Sequence, residues 1–159
     1  MNSTVEIIKL FSRDLNRELT IRKISKLIKK SYAHTNKEVW GLVKQGVLNH
    51  KEIGKSIICS INLKNDMARI LLVFNSNLES IDMKDVSLIE SLKQADAFFA
   101  FLSKGKLFVI CEDKSKVKLG KAKILSKSEF LSSIKEIGLD NQILYGAEKY
   151  WETVGDMYE

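Results

Sequence analysis

The sequence predicts an α+β protein made of two modules, with the border between residues 64 and 65. Near Gly46 the apolar residues change from a helical period to a period of two, which predicts three helices followed by a pair of strands. In residues 65–159, helical patterns alternate with short apolar strands, which predicts a small α/β sandwich with a mainly mixed sheet. A chain of 159 residues that is 45% hydrophobic is long enough to form a core in each module.

Charge distinguishes the two modules. The net charge is +6, yet residues 1–64 carry 13 Lys and Arg against 5 Asp and Glu, whereas residues 65–159 carry 13 against 15. A basic first module on a slightly acidic remainder suggests that the first module meets a polyanion. The alternative is that lysine serves as general surface filler.

Several classes of protein are excluded by the composition. The longest apolar runs, Ile70–Phe74 and Ala97–Leu102, are far shorter than the roughly 18 residues of a spanning helix. No apolar stretch of the kind found in secretion signals follows Met1. Cys59 and Cys111 show no CxxC spacing, so neither a disulfide framework nor a zinc site is suggested. We therefore expect a cytoplasmic protein without a membrane span.

Capping signals place the helices of the first module. Ser3 and Thr4 are the candidate caps of the first helix, and Thr20 precedes the second. A polar break at residues 31–34 leads to Thr35, which with Glu38 forms a capping-box pattern at the start of the third helix. The third helix buries one face and ends at Gly46, and two strands follow, with the ranges Val47–Ile53 and Ser56–Leu63 around Gly54 and Lys55.

This order of elements resembles the winged helix-turn-helix domain of MarR-like and related archaeal regulators. The resemblance covers residues 1–64, where Leu19-Thr20-Ile21 opens the second helix and Thr35 to Gln45 forms the recognition helix. Gly46-Val47-Leu48 enters the wing and Ile57 to Leu63 leaves it. The resemblance implies a transcriptional regulator that binds double-stranded DNA.

The candidate DNA-binding residues lie on the face of the third helix opposite Val39 and Leu42, on the second helix and on the wing. A recognition helix needs exposed cations for phosphates and small or planar groups near the base edges. The predicted contacts are His34, Thr35, Asn36, Lys37, Trp40, Gly41, Lys44, Lys51, Lys55, Lys23 and Lys26. Other interpretations stay open: Trp40 as a packing residue, His34 as a turn residue, and the lysines of the second helix as a solvated face.

Two segments of the second module show another resemblance. They are Ile124-Leu125-Ser126-Lys127-Ser128-Glu129-Phe130 and Leu144-Tyr145-Gly146-Ala147-Glu148-Lys149-Tyr150. Both are similar to segments of archaeal proteins in which a winged helix is fused to a minimal nucleotidyltransferase. The resemblance implies a nucleotidyltransferase-like domain behind the winged helix.

The residues that such enzymes use for catalysis are missing. They carry a Gly-Ser turn after the first strand and an Asp-x-Asp pair that holds magnesium on the next strand, but the corresponding segments here are Phe101–Lys106 and Leu107–Ile110. Glu112 and Asp113 are adjacent, so on a strand their carboxylates would point to opposite faces. We therefore expect a degenerate domain that serves assembly or sensing, with no enzymatic activity, metal or cofactor. The alternatives are a nucleotidyltransferase with relocated active-site residues and an antitoxin-like partner protein.

Regulators of this kind commonly bind DNA as pairs, so the sequence predicts a homodimer. Two surfaces are candidates: Ile7, Ile8 and Phe11 of the first helix, and the helix that carries Met67, Ile70, Leu71 and Phe74. The alternative is that these residues pack within the chain.

Overall fold

The computed structural model describes residues 2–83 and 85–158 and has an α+β fold with two sheets. The chain forms two compact units, one of Met1–Asn75 with Tyr158–Glu159 and one of Ser76–Met157. The border falls inside a helix and not at residues 64/65, where the sequence predicts it.

The first unit contains three helices, a short strand and a hairpin. These are α1 (Ser3–Ser12), β1 (Leu19–Thr20), α2 (Ile21–Ile28), α3 (Tyr32–Lys44), β2 (Leu48–Ile53) and β3 (Ser56–Ile61). The strands form an antiparallel sheet in the order β1-β3-β2, and α4 (Asp66–Glu79) follows it. Helix α1 begins one or two residues earlier than the predicted caps allow, because the Asn2 side chain accepts a hydrogen bond from the Thr4 amide.

The start of α3 differs from the sequence prediction. Ser31 is the N-cap, its hydroxyl accepts a hydrogen bond from the His34 amide, and the helix already includes residues 32–34. The capping box predicted at Thr35 is therefore wrong. Thr35 is fully buried in the first turns of the helix, where its hydroxyl donates to the Ser31 carbonyl.

Helix α1 supplies the centre of the first core. Ile7, Ile8 and Phe11 are 0% exposed, and so are Ile24 of α2 and Val39 of α3. The prediction that the α1 residues form a dimer surface is therefore wrong, because burying them within the unit already removes their apolar surface from water.

The second unit surrounds a four-stranded sheet. Its elements are a 3₁₀ turn (Ile81–Met83), α5 (Val86–Gln94), β4 (Phe99–Ser103), β5 (Lys106–Ile110), a second 3₁₀ turn (Lys114–Lys116), β6 (Lys123–Leu125), α6 (Lys127–Ile137), β7 (Gln142–Tyr145) and α7 (Ala147–Gly155). The strand order is β6-β5-β4-β7, with β5 and β6 parallel and the other pairs antiparallel. The predicted mixed sheet is confirmed.

Successive residues of β4 supply two different cores. Phe99 and Phe101 contact Phe130 of α6 and Tyr150 of α7, with ring centroids 5.1 to 5.7 Å apart. Ala100, which alternates with them, belongs to an aliphatic cluster with Leu92 and Val109 among others. The phenylalanines therefore serve the fold.

The two segments that resemble nucleotidyltransferases also have structural roles. The sequence offers Ser126 or Ser128 as the cap of this helix, and the structure shows that Ser126 is the cap and forms a capping box with Glu129 at the start of α6. Gly146 has φ +70° and lies so close to β4 that a Cβ atom would come within 2.2 Å of the Phe98 carbonyl oxygen. Only glycine fits there without displacing the strand.

Candidate nucleic-acid interface

The exposed face of α3 presents unpaired positive charge. Lys37 and Lys44 are exposed, and neither ammonium group has an ion pair among residues 2–83 and 85–158. Gly41 lies on the same side of the helix, and a Cβ atom built on it meets nothing within 4 Å. Asn36 is half-buried at the flank of this face. The helix therefore offers two cations and an open stretch of backbone to a ligand.

Trp40 connects α3 to the hairpin. Its ring meets the His50 ring of β2 edge to face, with centroids 5.1 Å apart, while the Trp40 side chain remains half-buried. His50 is exposed, and it is not among the interface residues predicted from the sequence. The available signal in the sequence was its position on the first strand of the predicted wing. The Trp40–His50 contact fixes the hairpin beside the exposed face of α3.

His34 links α3 to α1. Its Nε2 atom lies 2.8 Å from the Ser3 hydroxyl oxygen, although much of the ring is exposed. His34 belongs to the first turn of α3, so the interpretation as a residue of the preceding turn is wrong. Thr35, in contrast, is buried and has no surface for a partner, so its predicted DNA contact is wrong.

The two hairpin lysines that the sequence predicts as DNA contacts differ in their ion pairing. Lys55 lies in the two-residue turn between β2 and β3 and is exposed without an ion pair among the described residues. The Lys51 ammonium, on β2, lies 2.5 Å from a carboxylate oxygen of Glu18. Both partners of this pair are about half exposed. Glu18 therefore offsets one of the two hairpin charges.

A cavity of about 340 Å³ lies where α2, α3 and the hairpin turn approach one another. Arg22, Tyr32 and Lys55 line it, together with Thr20 at the N-terminus of α2. None of these three long side chains has a hydrogen bond or ion pair to another described residue. Neither Arg22 nor Tyr32 is among the site residues predicted from the sequence. The basic run of α2 was a signal for Arg22, whereas the sequence predicts a loop at Tyr32.

Lysines 23 and 26 continue this surface along α2. Both are exposed, and no ion pair to either is found in the described part of the chain. Helix α2 ends at Ile28, and its C-cap residue, Lys29, has φ +56°. Because Arg22 of the same helix lines the cavity, the charged side of α2 continues toward the hairpin turn.

Neither of the two acidic residues that follow β5 forms part of a metal site in the part of the chain that the structure describes. Strand β5 ends at Ile110, so Glu112 and Asp113 lie in the following loop and not on a strand. Asp113 caps the 3₁₀ turn, and hydrogen bonds from the side chain and backbone of Ser115 hold the pKa of its carboxyl below the usual range. Among residues 2–83 and 85–158, no group of three or more His, Cys, Asp or Glu side chains is placed to hold a metal ion.

No protein-family model matches the chain, and no curated protein or solved structure matches it either. In the part of the chain that the structure describes, no helix has the length and apolar character to cross a membrane. The functional assignment therefore depends on the residues of the site itself.

Proposed function

We propose that the protein is a transcriptional regulator that binds double-stranded DNA through a winged helix-turn-helix in its first unit. In this proposal α3 is the recognition helix and the β2–β3 hairpin is the wing. The observation that carries it is the set of exposed cations without ion pairs to described residues on α2, on the exposed face of α3 and at the hairpin turn.

The shape of this surface suits duplex DNA. The major groove is about 12 Å wide and admits one α-helix. On α3 the exposed face is free of ion pairs to described residues, and Gly41 leaves the backbone open to close approach. The adjoining hairpin carries Lys55 at its tip, where a wing would contact a neighbouring phosphate or the minor groove.

The side chains of the proposed DNA-binding surface have two roles, phosphate binding and base reading. Lys23, Lys26 and Lys55 bind phosphates together with Arg22, and they set the position of the protein on the duplex without reading sequence. Lys37 and Lys44 extend the charged surface along α3, and Asn36 and Trp40 lie beside them. An asparagine amide pairs well with adenine in the major groove, so Asn36 is the proposed base-reading residue.

The second unit, in this proposal, serves assembly or sensing and transfers no nucleotide. The support is that Asp113 caps a turn, while a two-residue turn joins β4 directly to β5 where a nucleotide-binding turn would have to lead into a helix. We expect no magnesium-dependent labelling of the protein or of added RNA with any nucleoside triphosphate. Labelling that disappears in Asp113→Ala would overturn this part of the proposal.

The direct test is selection of duplex fragments from a random pool by the purified full-length protein, followed by sequencing. We expect enrichment of a short motif, and loss of that enrichment in Asn36→Ala with retention of general DNA binding. A pool that is neither retained nor enriched by the protein would remove DNA from the proposed function.

A further inference from the structure

Charge is segregated within the second unit. From Lys104 to Lys127 the sequence contains eight lysines and two acidic residues, although residues 65–159 as a whole carry more acidic than basic side chains. The remainder of that module is therefore strongly acidic. Such a separation concentrates positive potential on one part of the unit.

Four of these lysines lie at the same end of the sheet. Lys104 and Lys106 belong to the tight β4–β5 hairpin, and the parallel register of β5 and β6 pairs Phe108 with Lys123. Lys121 lies in the turn two residues before the start of β6, at the end of the sheet where β5 and β6 both begin. We call Lys104, Lys106, Lys121 and Lys123 the lysine patch; all four are exposed and lie at the end of the sheet where β5 and β6 begin.

The patch lysines differ from their neighbours in sequence. The ammonium group of Lys114 lies 2.6 Å from Glu129, and that of Lys116 lies 3.2 Å from Asp96. The four patch lysines have no such carboxylate partner among the described residues, and the Lys123 ammonium lies 5.9 Å from the centroid of the Phe108 ring. The patch therefore holds positive charge that the unit does not neutralise.

One patch lysine occupies a conformation that is unfavourable for it. Lys104 has φ +49° and is followed by Gly105 with φ +78°, as in a turn whose first position favours Asn or Gly. A lysine there lowers stability relative to asparagine and contributes only its charge. Strain of this kind commonly marks a functional position.

We propose that the lysine patch is a second nucleic-acid contact surface, which binds the phosphate backbone of duplex DNA without reading its sequence. This inference rests on the proposed function, which makes DNA the polyanion that the protein meets. Lysine is a point charge on a flexible stem, and such contacts supply sequence-independent affinity.

The surroundings of the patch favour a duplex over other polyanions. Binding of single strands relies on aromatic side chains on which bases stack, but no aromatic side chain of the described second unit is fully exposed. An acidic protein partner would need an apolar or aromatic anchor, and no large apolar side chain is exposed between residues 104 and 127.

The test measures the affinity of the full-length protein for a duplex of random sequence at several salt concentrations. The double variant Lys106→Ala/Lys121→Ala should lower the association constant severalfold at low salt. It should also flatten the plot of log K against log salt by about one unit for each phosphate that the variant no longer binds. The matched control is Lys114→Ala/Lys116→Ala, which removes the same charge from paired lysines and should change the slope far less.

Lys104→Asn separates binding from folding. Because asparagine suits the turn better, this variant should melt at a higher temperature than the wild-type protein while binding the duplex more weakly. Weaker binding in a more stable protein would not arise from misfolding.

The outcomes distinguish the two proposals. If the patch variants bind as the wild-type protein does while Lys37→Ala/Lys44→Ala binds weakly, the proposal for the lysine patch is wrong and the proposal for the winged helix is supported. If only the patch variants lose affinity, the proposal for the patch is supported and the proposal for the winged helix is wrong. Equal losses in the patch variant and its control would show a general charge effect and overturn the patch, and no binding by the wild-type protein would overturn both.

Discussion

Gly41 and Gly146 differ in what an added methyl group would meet. At Gly146 the methyl would collide with the backbone of β4, whereas at Gly41 it would extend into open space. A glycine inside a helix lowers stability by about 1 kcal/mol relative to alanine. Gly146 is thus explained by the fold, whereas the fold gives no steric reason for a glycine at position 41, where the proposed function places a close approach of DNA.

Gly41→Ala should therefore raise the free energy of unfolding by up to about 1 kcal/mol and weaken binding to the selected DNA motif. Denaturant titration and a DNA-binding titration of the same preparation measure the two effects. Gly146→Ala is the contrast, with an expected loss of more than about 2 kcal/mol because φ is positive and the site is filled. Unchanged DNA affinity in Gly41→Ala would contradict the proposed close approach.

Ionisation of the Cys59 thiol should lower the free energy of unfolding at alkaline pH. The residue is fully buried, and burial raises the pKa of its thiol from 9.0 to about 11. The folded chain then holds this proton more tightly than the unfolded chain does. The stabilisation that comes from the protonated thiol is intact below pH 9. As the pH rises from 9 towards 11, the free energy of unfolding should fall by about 2 kcal/mol.

Denaturant titrations at pH 8, 9, 10 and 11 check this expectation. Cys59→Ala lowers stability at every pH but should show a shallower fall above pH 9, since the other titrating groups are the same in both proteins. Parallel curves for the two proteins would show that this thiol does not cause the alkaline loss.

Individual elements show what the sequence can and cannot predict. The capping box of α6 was predictable, because Ser126 directly follows a strand pattern and Glu129 stands three residues later. At α3 two hydroxyl residues, Ser31 and Thr35, stand in front of apolar residues at helical spacing, and local pattern alone favoured the wrong one. The outcome depends on burial of Thr35, which is a tertiary effect.

The site shows the same division between local and tertiary information. Helix spacing was enough to place Lys37, Gly41 and Lys44 on the exposed side of α3. The pairing of Lys51 with Glu18, and the cavity that joins Arg22 and Tyr32 to Lys55, depend on contacts between elements distant in sequence. No periodicity within one element encodes such contacts.

The Glu18–Lys51 ion pair offsets the charge of one hairpin lysine that the proposed function places near DNA. Glu18→Gln should free the Lys51 ammonium, raise DNA affinity at low salt and steepen the salt dependence by up to about one unit. Stability should change by less than about 1 kcal/mol, because both partners are half exposed. DNA-binding titrations at several salt concentrations measure this effect. The control is Glu18→Gln/Lys51→Ala, which should not gain affinity for DNA. A gain of affinity in that double variant would show that the effect comes from another residue.

At the scale of the molecule, α4 carries the remaining candidate surface for a homodimer. Met67, Ile70 and Phe74 recur at helical spacing and are each 47 to 58% exposed, whereas Leu71 is half-buried. We propose that a second copy of the chain covers this stripe, because a helix face made of apolar residues is complementary to itself about a two-fold axis.

Light scattering should therefore give twice the 18.1 kDa mass of one chain. Ile70→Lys should shift the protein toward the monomer, because it places a charge at the centre of the stripe. Val86→Lys is the matched control, since Val86 is 71% exposed and lies on a different helix. A monomeric wild-type protein at working concentrations would overturn the homodimer.

The central claim is that the exposed face of α3 binds duplex DNA, and the salt dependence of binding tests it most directly. The measurement compares the wild-type protein with Lys37→Ala/Lys44→Ala on the same duplex, with Lys114→Ala/Lys116→Ala as the control of equal charge. We expect weaker binding at every salt concentration and a slope of log K against log salt that is shallower by about two units, one for each phosphate that the replaced lysines bind. Affinity and slope identical to those of the wild-type protein would contradict the claim.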